Sequence, residues 1–389
     1  MTQSSSSGSK PDEHKLRSLG FTEIIFLVQA TQVGIGLFNL PRIVVEEAGH
    51  SGWISILMTG ALVQLALWFI VLLTRRFPEH DLYGILNLVY GKWIGRFLGA
   101  IFALYCVAVA SLVGRAYIEV VQQWMFPTTS TNMFYLLLLL PCFYAATAGA
   151  RILGRFGIFV FFATIWMVFL LIAPAREITV DYYFPIYDST LWELIRASWK
   201  VSASAIGFEV LMVYHTFAKD KKTILKASSY GIWITTFIYL VVTVISIGFY
   251  SPAQIAKILS PTLQMYQIVE LPMIERIEHI GISTWLFLVV NTCSTYLWAA
   301  GRYVYSFGKW DEPKSVLVFL PLTFVIGIWG KDVYFLTKFE TLVSTIGGIV
   351  AGVLPLLVLL SAILFRKRGS TAPPPSDDEE EEPEEVNAS

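Results

Sequence analysis

Two glycines in an apolar run, Gly34 and Gly36 of FTEIIFLVQATQVGIGLFNLPR (21–42), carry the first chemistry of this chain. In hydrocarbon an unpaired backbone N–H or C=O costs several kcal/mol, so a helix break at membrane depth persists only where it lines a cavity or is buried in protein. Both glycines lack the Cβ that would shield the backbone. The sequence therefore predicts free carbonyls at Gln32 and Val33 and free amides from Ile35 to Phe38. The N-terminus of the second half-helix favours a carboxylate, and the carbonyl end of the first favours an ammonium or a cation, which together describe a site for a small zwitterion. A second weak point, SWKVSASAIGFEVLMVYHTF (198–217), sets Ser202, Ser204 and Gly207 where helix propensity is lowest, with Glu209 directly after. Glu209 meets an ammonium, exchanges a proton, or caps the amides of the half-helix that follows it. Arg115 and Glu119 stand at i and i+4, the spacing of a structural ion pair.

These residues must be positioned by helices that cross a bilayer. Of 389 residues 55% are hydrophobic and 15% charged, against about 25% charged in an average soluble domain. Windows of about 20 apolar residues give ten spans: Phe21 to Glu46, Gly52 to Leu73, Ile94 to Trp124, Met133 to Ala148, Ile152 to Ala173, Ser198 to Phe217, Ile224 to Tyr250, Ile282 to Ser306, Val316 to Trp329 and Val333 to Phe365. With the N-terminus inside, the inner loops collect Arg75, Arg76, Lys92, Arg96, Arg151, Arg155, Lys219, Lys221, Lys222, Lys226, Lys309 and Lys314, then Arg366, Lys367 and Arg368. The positive-inside rule then places both termini in the cytoplasm. The expected organisation is a polar cytoplasmic N-terminus (1–17), a ten-helix transmembrane domain (18–368) and an acidic C-terminal tail (369–389) too polar and too charged to fold.

The second weak point lies five spans after the first, the spacing of a five-plus-five inverted repeat with broken helices one and six. The fold class that follows is an all-α integral membrane protein with a LeuT-like transporter fold. In that geometry Gly34, Ile35 and Gly36 present backbone to a ligand carboxylate, with the Thr31 hydroxyl one turn earlier. Ser204, Gly207 and Phe208 form the opposite wall, their freed carbonyls facing the ammonium. Tyr105 and Val109, one turn apart in span three, fill a side-chain pocket, and Asn291 and Thr295 in span eight share a face. A sodium ion in such a fold would draw on carbonyls of the first break and on the hydroxyls of Thr292, Ser294 and Thr295; span five holds no lysine or acid for a proton-coupled alternative, only Arg155 near its inner end. His215 is expected to face a polar vestibule.

QVGIGLFNLPR at the first break, VASLVGRAYIE in span three, IGFEVLM in span six and KDKK after it resemble the B subunit of the spore germinant receptors, a spore germination permease family within the amino acid, polyamine and organocation transporter superfamily. The resemblance runs from about Leu16 to Arg368. It implies a multi-pass protein of the spore inner membrane that binds a small germinant, typically an amino acid, beside an A-type membrane subunit and a C-type lipoprotein, with the transporter fold serving as a sensor. The residues by themselves equally describe an ion-coupled amino-acid symporter.

Two loops are expected to be structured. Asp81 to Trp93 carries apolar residues at helical spacing and reads as a short interfacial helix; Pro252 to His279 reads as an amphipathic segment, a lid or plain surface packing. Cys106, Cys142 and Cys293 lack metal or redox spacing. No HExxH, P-loop or GxSxG is present, so no enzyme and no cofactor are expected. Topology accounts for the basic loops without nucleic acid. The first residues, MTQSSSSGSK, contain no apolar core for a cleaved signal.

Overall fold

The computed structural model describes residues 18–269, 276–308, 310–329 and 333–369, with the side chains of 333–337 excluded. The expected N-terminal segment 1–17, the tail from 370 onward and part of the loop before span eight lie outside the described residues. Among those described the chain is helical, and its β-pairing is one isolated parallel bridge, Leu19 to Ala218.

Among the described residues six helical segments are long and apolar enough to cross a membrane: Gly36–Arg76, Lys92–Trp124, Ala150–Arg176, Ile224–Phe249, Ile277–Tyr305 and Lys338–Leu364. Several expected spans, including some within these segments, are interrupted or short. Span one is a 12-residue helix, Phe21–Gln32, and a 13-residue helix, Gly36–Ala48, separated at Val33–Ile35. Span four is Thr131–Thr147. Span nine is Glu312–Leu317 followed by Leu320–Ile328, with Pro321 at the start of the second piece, where its missing N–H and fixed φ are tolerated. Span ten runs Val333–Gly348, passes through a π-helical stretch at Ile349–Val353 and ends as Leu354–Leu364.

Span six departs most from expectation. Its outer half is a regular helix, Leu191–Ser202, started by a capping box in which Thr190 and Glu193 satisfy one another's amides. The inner half is not a continuous half-helix: Phe208–Val210 and His215–Phe217 are 3-10 turns around a single α-turn, Leu211–Tyr214. Gly207, at φ 127°, follows an extended Ile206 and redirects the chain there, and the apolar run FEVLMVYHTF carries no signal that separates 3-10 from α.

Span eight packs most extensively along span three, and span one is held between spans five and seven. Leu82–Tyr90 is the expected short helix. Its apolar face is buried against span three, the Tyr83 hydroxyl donates to the Ala299 carbonyl at 2.7 Å, and Arg302 pairs with Asp81 at 3.2 Å. The loop before span eight forms two short helices, Pro252–Ile255 and Pro261–Met265, which dock on the outer half of span one; the Thr262 hydroxyl donates to the Leu37 carbonyl at 3.0 Å.

Candidate functional site

The two breaks touch. Gly207 lies so close to span one that a Cβ on it would stand 2.7 Å from the Thr31 carbonyl. Gly36 likewise faces Ser204, whose Cβ would be 2.9 Å from a Cβ at position 36. Small residues are needed at both places because backbone meets backbone or a side chain there. The Gln32 carboxamide donates across the gap to the Ala205 carbonyl at 2.8 Å. From span seven, the buried Tyr239 hydroxyl reaches the Ser204 carbonyl at 2.6 Å and the Gln32 carbonyl at 3.1 Å, one from each break.

These contacts shrink the set of free backbone groups that the sequence predicts. The amides of Leu37 and Phe38 donate to Gly34 and Ile35 at 3.2 and 3.0 Å, because the second half-helix starts with tight i→i+3 bonds. The Tyr239 hydroxyl has one proton to share between the Ser204 and Gln32 carbonyls, the first being the nearer, and the Gln32 carboxamide donates to the Ala205 carbonyl, so these oxygens already face donors of the protein. Among the described residues the amides of Ile35 and Gly36 donate to no partner. Gly34, next to them, has no atom within 4 Å of where its Cβ would stand. The first break therefore keeps two oriented N–H groups and a glycine that opens on empty space.

Glu209 is completely buried, and its carboxylate accepts from three groups on three spans: the Tyr105 hydroxyl at 2.8 Å, the Tyr296 hydroxyl at 2.6 Å and the Gly207 amide at 2.7 Å. A buried carboxylate is tolerable when donors surround it. Here they come from span three, span eight and the break of span six itself. The carboxylate holds the turn at Gly207, two residues before it in the chain. Tyr105, read from sequence as pocket wall, is one of its donors.

The other sequence-predicted residues divide by position. The Thr31 hydroxyl donates to Leu27 in its own helix at 2.6 Å while its backbone meets Gly207. Val109 and Phe208 are buried in the core between the spans. Thr295 donates to the Asn291 carbonyl one turn before it. Asn291 is buried, and neither polar atom of its side chain has a partner among the described residues. Arg115 and Glu119 form their i,i+4 pair at 2.9 Å, with the arginine side chain nearly enclosed. His215 is buried against the Met212 and Phe77 carbonyls, at 3.1 and 3.4 Å, and faces no vestibule. The sequence reading singled out the Gln32 carbonyl but missed its carboxamide, and it missed Tyr239 and Tyr296. A signal for the tyrosines exists: both lie in mid-span, away from the membrane interfaces where tyrosine usually concentrates.

Comparison with known proteins places this geometry. Residues 18–335 match the family model described as spore germination protein. Among curated relatives, spore germination protein GerQB of Bacillus cereus is 31% identical over 72% of this chain and 77% of its own length. Spore germination protein A2 of Bacillus subtilis (strain 168) is 25% identical over 79% and 86%, and GerLB of Bacillus cereus 22% over 92% and 98%. Among solved structures, MhsT in complex with L-phenylalanine aligns with a TM-score of 0.61 at 14% identity, covering 88% of each chain. That likeness fixes the fold: a LeuT-like transporter architecture in which the interrupted spans one and six meet, with no enzyme class attached to the family. From the family match over most of its length, the chain belongs to the spore germination permease family.

Proposed function

We propose that this protein is the germinant-binding B subunit of a spore germination receptor, and that it uses the transporter fold as a sensor for a small amino acid. The observation that carries the reading is the open space at Gly34 beside the unpartnered amides of Ile35 and Gly36. A helix N-terminus with free N–H groups suits a carboxylate, and the Val33 carbonyl at the end of the first half-helix suits an ammonium. Ligand that binds better to the closed arrangement of spans one and six shifts the protein toward it. Because Glu209 ties the turn at Gly207 to spans three and eight, a shift at the break is handed to the scaffold.

In this reading the protein sits in the spore inner membrane with both termini in the cytoplasm, residues 18–368 forming the membrane domain and 1–17 and 369–389 its cytoplasmic extensions. Its partners are an A-type membrane subunit and a C-type lipoprotein. The test is a thermal-shift screen of the full-length protein against the common amino acids, followed by uptake in proteoliposomes. A saturable rise in melting temperature with one amino acid and no concentrative uptake is expected. Accumulation against a gradient would convert the sensor into a symporter, and no response to any amino acid would remove that ligand class.

A further inference from the structure

Apart from the Val33 carbonyl, the oxygens from which this fold would build a cation site lie against or belong to hydroxyl groups that donate within the protein. The Thr292 hydroxyl lies 3.0 Å from both the Ala30 carbonyl of span one and the Leu288 carbonyl. Ser294 and Thr295 donate to carbonyls of their own helix at 2.5 and 2.8 Å. Between the breaks, the Gln32 and Ser204 carbonyls converge on one point, and the Tyr239 hydroxyl stands there. A dehydrated cation needs lone pairs from several oxygens turned toward it, whereas an O–H that donates turns the positive end of its dipole to those carbonyls. The small cavity beside Tyr239, lined in part by Gln32, Thr59, Thr235 and Thr236, holds no charged residue. These threonine hydroxyls donate to the carbonyls of Ser55, Gly231 and Ile232. At the point where the Gln32 and Ser204 carbonyls converge, the structure places a phenol hydroxyl where an ion would otherwise sit.

We infer that Tyr239 is a positioning residue whose neutral O–H holds the point between the two unwound segments that a cation would otherwise hold, so that spans one and six close on each other without an ion. One phenol joins span seven to both breaks, and the carbonyl dipoles it engages would repel one another if bare. The inference rests on the proposed roles of spans one and six, but it concerns how they are held together and not what they bind.

The test uses the full-length protein in lipid nanodiscs with no germinant present, its melting temperature read in sodium, lithium, potassium and choline chloride at one ionic strength. The wild-type protein is expected to melt at the same temperature in all four salts. Tyr239→Phe strips the hydroxyl and leaves the Gln32 and Ser204 carbonyls bare, next to a cavity where the Gln32 carboxamide oxygen already has no partner among the described residues. Its melting temperature is expected to fall by about 2–4 °C in choline and to recover part of that in sodium or lithium. A saturable sodium-specific rise in the wild type overturns the inference. So does a Tyr239→Phe protein that melts like the wild type, or one whose fall no cation reverses, because Tyr239 is then an ordinary structural hydrogen bond. Should Tyr239→Phe not fold, the wild-type salt series decides alone. With no germinant in either arm, failure here leaves the ligand reading standing, and a failed amino-acid screen leaves this result intact.

Discussion

Gly34 in span one has no atom within 4 Å of where a Cβ would stand, whereas a Cβ on Gly207 in span six would press to 2.7 Å from the Thr31 carbonyl at a φ of 127°. The repeat makes the two breaks equivalent in position, yet they are built for different tasks. Span one keeps two regular half-helices and leaves amides unpartnered between them. Span six has its turn fixed by Glu209, its Ser204 and Ala205 carbonyls occupied, and an inner half that is mostly 3-10. One break is left open and the other is clamped; in the proposed reading the first takes the ligand and the second reports it.

The most severe way to break this contrast is Gly207→Ala. The methyl group meets backbone that cannot yield, and the conformation is one that L-residues rarely adopt. Strain and overpacking cost about 1–3 kcal/mol each. Protein abundance in membranes should collapse together with the response, as quantitative blotting of spore membranes would show. Near-normal abundance would mean that span six is not clamped.

Gly34→Leu should separate function from folding. Position 34 has room for a side chain and an ordinary φ, so protein level should remain close to wild type while germinant response is lost, because leucine fills the space where ligand meets backbone. Spores that keep both normal abundance and normal germinant sensitivity would remove the first break from the site.

How far the sequence reveals this difference depends on what kind of signal each residue carries. The interruptions are legible because Gly34, Gly36 and Gly207 sit in runs that are otherwise apolar, where a break has a cost and so a reason. The asymmetry is not legible. It arises from Gln32, Tyr239 and Tyr296, whose partners lie 173, 207 or 35, and 87 residues away in the chain; the mid-span position of the two phenols signals a polar partner but not which one. Tyr105 and Val109 share a helix face as expected, but only the fold shows that the hydroxyl of the first is turned to Glu209. The 3-10 character of the inner half of span six has no periodicity to betray it over so few residues. Asn291 is visible as a polar residue in mid-span, but its burial without a hydrogen-bond partner among the described residues is not.

Glu209→Gln sharpens the comparison by loosening the clamp without touching the open break. The carboxylate accepts three hydrogen bonds, and an amide must turn its NH2 toward at least one donor, from Tyr105, Tyr296 or Gly207. Stability should drop by about 1–3 kcal/mol, read as a lower melting temperature and reduced abundance. The amino acid preferred in a binding screen should stay the same. A change of ligand preference at unchanged stability would move Glu209 from the clamp into the ligand site.

The smallest effect is expected at the corner that follows span one, to which the start of span six is moored. Asp188 accepts from the Ser51 hydroxyl at 2.9 Å and lies 2.6 Å from His50 Nδ1, and Ser189 donates to the Ala48 carbonyl. Partial burial raises the carboxyl's pKa, but the hydrogen bonds from His50 and Ser51 outweigh it, so Asp188 titrates below its ordinary value. A carboxylate whose folded pKa is depressed contributes stability above its unfolded pKa and loses it as pH falls through the folded one. Asp188→Asn should therefore melt slightly below the wild type at neutral pH. The two curves should converge only at acid pH, below the usual carboxylate range. The mooring is remote from both glycines, so germinant sensitivity at neutral pH should be unaltered. A shifted germinant dose response in Asp188→Asn would show that the outer mooring also sets how readily the breaks close, and the division between an open break and a clamped one would then have to include the outer ends of both spans.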